Sequence, residues 1–206
     1  MMSTRQTKPQ AKLYVILSFV LVVISFILAF NSPLQAGKPA IFWVSNLNDR
    51  GPGSLRQAVE DAYAMQGKDF IKFRVSGTIL LETPLSVGDP SGVVLDGFSA
   101  PHPGITLSIS AGSALTVTSS NNIIRGLAIN ASTGGMGIFF DGKPHGVTVE
   151  SNLVEGNRIT GFGSGVGFNQ ASKNVIRDNV LVGNDLGVWF NEKAPNNDEN
   201  VLEGNV

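Results

Sequence analysis

The chain of 206 residues contains no cysteine. Disulfides, thiolate metal sites and lipid attachment at an N-terminal cysteine are therefore excluded. Histidine is nearly absent too. His102 and His145 are the only two, each beside Pro and Gly in turn-like sequence and apart from any group of carboxylates, so no metal site is predicted. Charged residues make up 15% of the chain, with a formal net charge of −1. A general nucleic-acid binder needs a basic excess that is missing here. The last third also lacks any useful run of the 3.6-residue apolar period of an amphipathic helix.

That third repeats instead. Gly137-Ile138-Phe139-Phe140, Gly165-Val166-Gly167-Phe168 and Gly187-Val188-Trp189-Phe190 form one motif seen three times, with starts 28 and then 22 residues apart. Between them lie Val149-Glu150-Ser151-Asn152, Ile176-Arg177-Asp178-Asn179 and Leu202-Glu203-Gly204-Asn205. Self-similarity at 20–30 residues, built from short apolar alternations punctuated by Gly and Asn, predicts a β-solenoid. Stacking Asn152, Asn179 and Asn205 puts Ile124, Val149, Ile176 and Leu202 in an inward column. Arg125, Glu150, Arg177 and Glu203 then form an outward file of alternating sign. Coils about 4.8 Å apart let such charges pair across the ladder and fix register.

Towards the N-terminus, residues 1–12 carry Arg5, Lys8 and Lys12 and no acid, and Leu13 to Phe30 is an uncharged apolar run of 18 residues. It reads as the core of a secretory signal or as a short membrane anchor, with Ala36 a small residue for cleavage. Either way the remainder is exported, to the periplasm, the extracellular space or the outer face of a membrane. Membrane contact is expected only through residues 13–30, if they are retained. Beyond residue 36 the chain holds 12 basic against 16 acidic residues, a net charge of −4. Residues 37–69 read as a strand, Ala40 to Asn46, and an amphipathic helix. Ser54 and Gln57 form its capping box, and Leu55, Ala58, Val59, Ala62 and Tyr63 its apolar stripe. This helix is expected to cap the first of five to seven coils that fill residues 70–206.

Four segments in order, spanning residues 42 to 127, resemble the pectate lyase superfamily. They are Asn46-Leu47-Asn48-Asp49-Arg50-Gly51-Pro52-Gly53-Ser54-Leu55-Arg56-Gln57-Ala58-Val59, Val75-Ser76-Gly77-Thr78-Ile79, Leu95 to Ile105 with Asp96-Gly97-Phe98, and Asn122-Ile123-Ile124-Arg125-Gly126-Leu127. The resemblance implies a right-handed parallel β-helix, export, and polysaccharide as the usual ligand class. After residue 130 the match is to the generic β-helix repeat. Calcium-dependent members have an Asp-His pair in the strand corresponding to Val147–Asn152; here it reads Glu150-Ser151. Arg125 and Arg177 replace acidic neighbours. A calcium site needs six to eight oxygen ligands, so calcium is implied by the resemblance while its ligands are unmatched. No other cofactor is expected.

The candidate catalytic residues are Arg177, nearest in position to the family's arginine base, and the carboxylates Glu150 and Asp141. A glycosidase pair requires carboxylates facing each other at about 5–9.5 Å. Phe139 and Trp189 point outward by alternation, flanking Gly167, and can stack sugar rings; the alternative is that Glu192 to Asn200 covers them. Arg125 completes the candidate substrate-binding set. Asp141, Asn169 and Asn191 occupy one repeat position and read as a hydrogen-bonded turn ladder. Two functions follow: an exported β-helix that binds, with or without cleaving, polysaccharide as a lyase or hydrolase would, or a non-catalytic surface-interaction module. Val206 falls in mid-coil. That predicts a fragment of a longer protein, or a last edge through which copies self-associate.

Overall fold

A computed structural model describes residues 37–206; the predicted leader, residues 1–36, lies outside the described part. Strand β1 (Ile41–Val44) is followed by helix α1 (Leu55–Tyr63). Three-strand coils then succeed one another: β2 (Asp69–Phe73), β3 (Gly77–Leu81), β4 (Leu85–Val87); β5 (Val93–Asp96), β6 (Ile105–Ala111), β7 (Leu115–Val117); β8 (Ile123–Arg125), β9 (Ala128–Thr133), β10 (Met136–Asp141). A short strand at the corner, β11 (Val149–Glu150), precedes β12 (Leu153–Glu155), β13 (Arg158–Thr160) and β14 (Ser164–Asn169). Its counterpart β15 (Ala171–Ser172) precedes β16 (Val175–Arg177), β17 (Val180–Leu181) and β18 (Leu186–Phe190), and β19 (Val201–Glu203) is the last strand.

Every third strand pairs, always in parallel, giving a seven-stranded first sheet (β1-β2-β5-β8-β12-β16-β19), a five-stranded second (β3-β6-β9-β13-β17) and a five-stranded third (β4-β7-β10-β14-β18). The wrap is a parallel β-helix with five complete coils. Short strands with one apolar face cannot stand alone, and stacking coil on coil buries those faces in one continuous core. Ile71, Leu95, Ile124, Val154 and Ile176 line it from the first sheet, and Ile79, Leu107, Ile129 and Ile159 from the second. From the third sheet come Phe140, Phe168 and Phe190, stacked at 5.2 and 4.7 Å between ring centroids. Each such side chain, fully buried, contributes about 1.5–3 kcal/mol.

Helix α1 packs Leu55, Ala58, Val59 and Ala62 into the core against β1, β2 and β4. Ser54 Oγ accepts from the Gln57 amide at 3.2 Å, one half of the predicted box. The Gln57 side chain turns away and donates to Asp61 at 2.8 Å. Tyr63, placed on the apolar stripe by its spacing, is 61% exposed. Arg56 is buried at the same end, donating to Asp49 Oδ1 at 2.8 Å and to the Thr83 and Pro84 carbonyls.

The register corrects one expectation. Arg125 faces Glu155, not Glu150, and Glu155 faces Arg177, which faces Glu203. Glu150 lies on the corner strand β11 opposite Ser172, and Val149 opposite Ala171. Two asparagine ladders explain the slip. One, Asn122-Asn152-Asn174-Asn200, precedes the first-sheet strands; the other, Asn157-Asn179-Asn205, follows them. Each asparagine Oδ1 accepts from a main-chain N–H of the coil before, and most Nδ2 groups reach the next asparagine, as from Asn152 to Asn174 at 2.9 Å. Stacking Asn152 on Asn179 mixed a residue before the strand with one after it. Unequal coils hid the difference: Asn152 lies 30 residues beyond Asn122, and Asn174 only 22 beyond Asn152.

Candidate functional site

The outer face of the third sheet carries one file across all five strands: Ser86, Thr116, Phe139, Gly167 and Trp189. Alternation produces it, because Leu85, Leu115, Ile138, Val166 and Val188 on one side and Val87, Val117, Phe140, Phe168 and Phe190 on the other turn inward. The file runs from hydroxyls to aromatics over four strand spacings, about 19 Å. Gly167 is filled space. The Met136 thioether lies over it in contact range, beside the Phe139 ring, so a larger residue there would displace both. Sulfur against an aromatic edge is a favourable contact. The segment Glu192–Asn200 does not cover this face through the bonds that anchor it. It is tied to the corner, where Asn197 Oδ1 accepts from the Ala171 amide, Asn196 Nδ2 donates to Thr148, and Ser172 donates to Asp198 at 2.7 Å. That last bond holds the Asp198 carboxyl below its ordinary range. Phe139 and Trp189 are left half-buried.

At its hydroxyl end the file opens into a cavity of about 740 Å³. Glu60 and Tyr63 of α1 form one wall, Ser86 and Thr118 to Ser120 the floor, and His145 with Thr148 the far side. Ser86 belongs to both cavity and file, so the two are continuous. The sequence reading took the hydroxyl run 118–120 as a spacer between strands. Only the wrap, which brings α1 against β4 and its corner, gives it a role.

The three catalytic candidates lie on three different sheets. Asp141, on β10, accepts from Asn169 Nδ2 at 2.7 Å, and Asn169 Oδ1 accepts from Asn191 at 2.8 Å, a turn ladder as the spacing predicted. Glu150, on β11, pairs with Lys173 at 3.4 Å. Arg177, on β16, holds Glu155 at 2.7 Å, and that hydrogen bond pushes its guanidinium further towards the charged form. Arg125 is on the first sheet as well, away from Phe139 and Trp189, bound to Asp96 at 3.0 Å with Glu155 at 3.8 Å. The structure therefore brings Phe139 and Trp189 onto one face and leaves Arg125, Asp141, Glu150 and Arg177 off it or engaged elsewhere.

Residues 86–206, more than half of the chain, match the family model described as "Periplasmic copper-binding protein (NosD)". The chain belongs to the NosD family. Membership makes it an exported, periplasmic right-handed parallel β-helix of the pectate lyase-like superfamily. Comparison with curated proteins gives no match. Among the described residues of this NosD-family chain, no helix is long and apolar enough to cross a membrane; the apolar run 13–30 lies outside them.

Copper in proteins is held by thiolate, thioether or imidazole donors gathered round one point. In this NosD-family chain the described donors are dispersed: Met65 after α1, His102 in the turn before β6, Met136 over Gly167 and His145 at the cavity. No three His, Cys, Asp or Glu side chains converge among the described residues, for copper or for calcium. The residues present do not fit the family's metal.

Proposed function

We propose that this chain is a periplasmic binding module whose ligand is a glycan strand laid along the third sheet, without cleavage. The observation that carries this reading is the continuity of a hydroxyl-lined cavity, through Ser86, with the outward rings of Phe139 and Trp189. Ser and Thr hydroxyls donate to and accept from sugar hydroxyls, and aromatic faces match the apolar faces of sugar rings. The dispersal of Asp141, Glu150 and Arg177 over three sheets supports binding over chemistry, since no carboxylate pair faces the strip. Trp189 reports on its own far end of the strip. Soluble neutral and acidic oligosaccharides are expected to shift its emission on titration, and Trp189→Ala to weaken binding several-fold, as about 1 kcal/mol per stacked ring implies. Tyr63→Ala and Ser120→Val should weaken it from the other end. Absorbance in the unsaturated-uronide band should stay flat, with or without calcium. A uronide signal, or no binding to any glycan at millimolar concentration, refutes the reading.

A further inference from the structure

The first sheet presents two files to solvent, and neither belongs to the strip above. One holds no polar residue: it runs from Ile41 through Ile123, Leu153 and Val175 to Val201, half-buried in the middle and about half exposed at both ends. The other alternates in sign at every step: Lys72, Asp96, Arg125, Glu155, Arg177, Glu203.

We propose that this face is the contact between two copies of the chain, packed sheet on sheet about a two-fold axis that lies along the strands between β8 and β12. Such a rotation keeps each residue's place along its strand and reverses the order of strands. The apolar file of one copy then lies on the apolar file of the other, over a length of about 29 Å for seven strands. In the charged file the reversal sets Arg125 of one copy over Glu155 of the other, Asp96 over Arg177, and Lys72 over Glu203. All of these pairs are opposite in sign. An alternating file is complementary to its own reverse about any midpoint between neighbours, whereas a foreign surface has no such guarantee. The contact is isologous and closes, so it yields a dimer and not a filament. Burying an apolar stripe beside a polar rim is how stable interfaces are divided.

Sedimentation of the exported chain across a dilution series up to about 100 µM is expected to show a monomer–dimer equilibrium. Leu153→Lys should abolish the dimer, while Leu80→Lys, on the exposed outer face of the second sheet, should leave it intact. Because the chain has no cysteine, Leu153→Cys carries a single thiol, and a short bis-maleimide should link it into covalent dimers where Leu80→Cys gives none. Arg125→Glu sets like charges across the axis and should weaken the dimer about tenfold or more. Adding Glu155→Arg restores opposite charges between copies but leaves like neighbours within each chain. Recovery of the dimer in the double variant, alongside a lower melting temperature, therefore separates contact between copies from the ladder's role in the fold. A monomer throughout the series, a dimer indifferent to Leu153→Lys, or a double variant no tighter than the single overturns the proposal.

Discussion

Replacing Asn157 probes what holds coil to coil. Its Oδ1 accepts from the Leu127 amide at 3.0 Å, and its Nδ2 donates to the Ile124 carbonyl at 2.9 Å and to Asn179 Oδ1 at 3.0 Å. The residue is 2% exposed, so water cannot replace these partners. Asn157→Ala removes three bonds at about 1 kcal/mol each and strands the buried Leu127 amide, so a loss of about 3 kcal/mol is expected. Asn157→Asp keeps the acceptor for Leu127 but turns a second oxygen, and a charge, towards two acceptors. At neutral pH it should cost more than alanine, about 3–5 kcal/mol, as for a buried charge left without its partner. The order reverses in acid. The introduced carboxyl has a folded pKa raised above its unfolded value, so the folded state binds the proton more tightly and this variant's stability falls as pH rises through that window. Urea unfolding of the parent and both variants at pH 7 and near pH 4.5 measures all of this. If aspartate costs less than alanine at pH 7, or its cost does not change with pH, the ladder is not a donor–acceptor chain.

Phe168 sits between two stacked rings, so Phe168→Ala should cost about 3–5 kcal/mol by denaturant unfolding, with Phe168→Leu milder; equal costs would mean the stack is only filler. Burial holds the Asp89 carboxyl above its ordinary range, the Asp69 carboxylate adds to the rise, and hydrogen bonds from Ser91 oppose it. A raised folded pKa means that stability is lost as pH rises above the ordinary carboxylate value. Asp89→Asn, which keeps the acceptor for Ser91, should therefore melt higher than the parent at pH 7 and converge with it below about pH 3. Glu155 bridges two arginines whereas Glu150 meets one lysine. In low salt Glu155→Gln should lower the melting temperature more than Glu150→Gln does, and added salt should narrow the difference.

Much of the architecture was legible because a solenoid writes the same local rule repeatedly. The three Gly-apolar-aromatic-Phe motifs fall in true register, Phe139 over Gly167 over Trp189, because their spacings of 28 and 22 are those of the coils themselves. The asparagines misled because two ladders flank each first-sheet strand, five residues apart, and a single chain does not say which member stacks on which. That slip moved Glu150 into a place that Glu155 holds. The cavity was invisible for a different reason. Tyr63, Ser86, Ser120 and His145 are scattered across the sequence, and only the approach of α1 to the coil corners assembles them. Met136 over Gly167 was hidden likewise, since a glycine in a strand reads as empty until a neighbour's side chain is seen to occupy it.

The coils differ in length at one place above all. The offset between β10 and β14 is 28 residues and between β11 and β15 only 22, and the offset grows again from 22 at Phe168 and Phe190 to 26 at Val175 and Val201. Most of the added chain is thus spliced in after the third sheet, where the bend carrying His145 and Thr148 also walls the cavity. A lineage can lengthen, shorten or rewrite that bend without disturbing a single ladder contact. Ligand preference can therefore drift freely over a scaffold whose interior stays fixed.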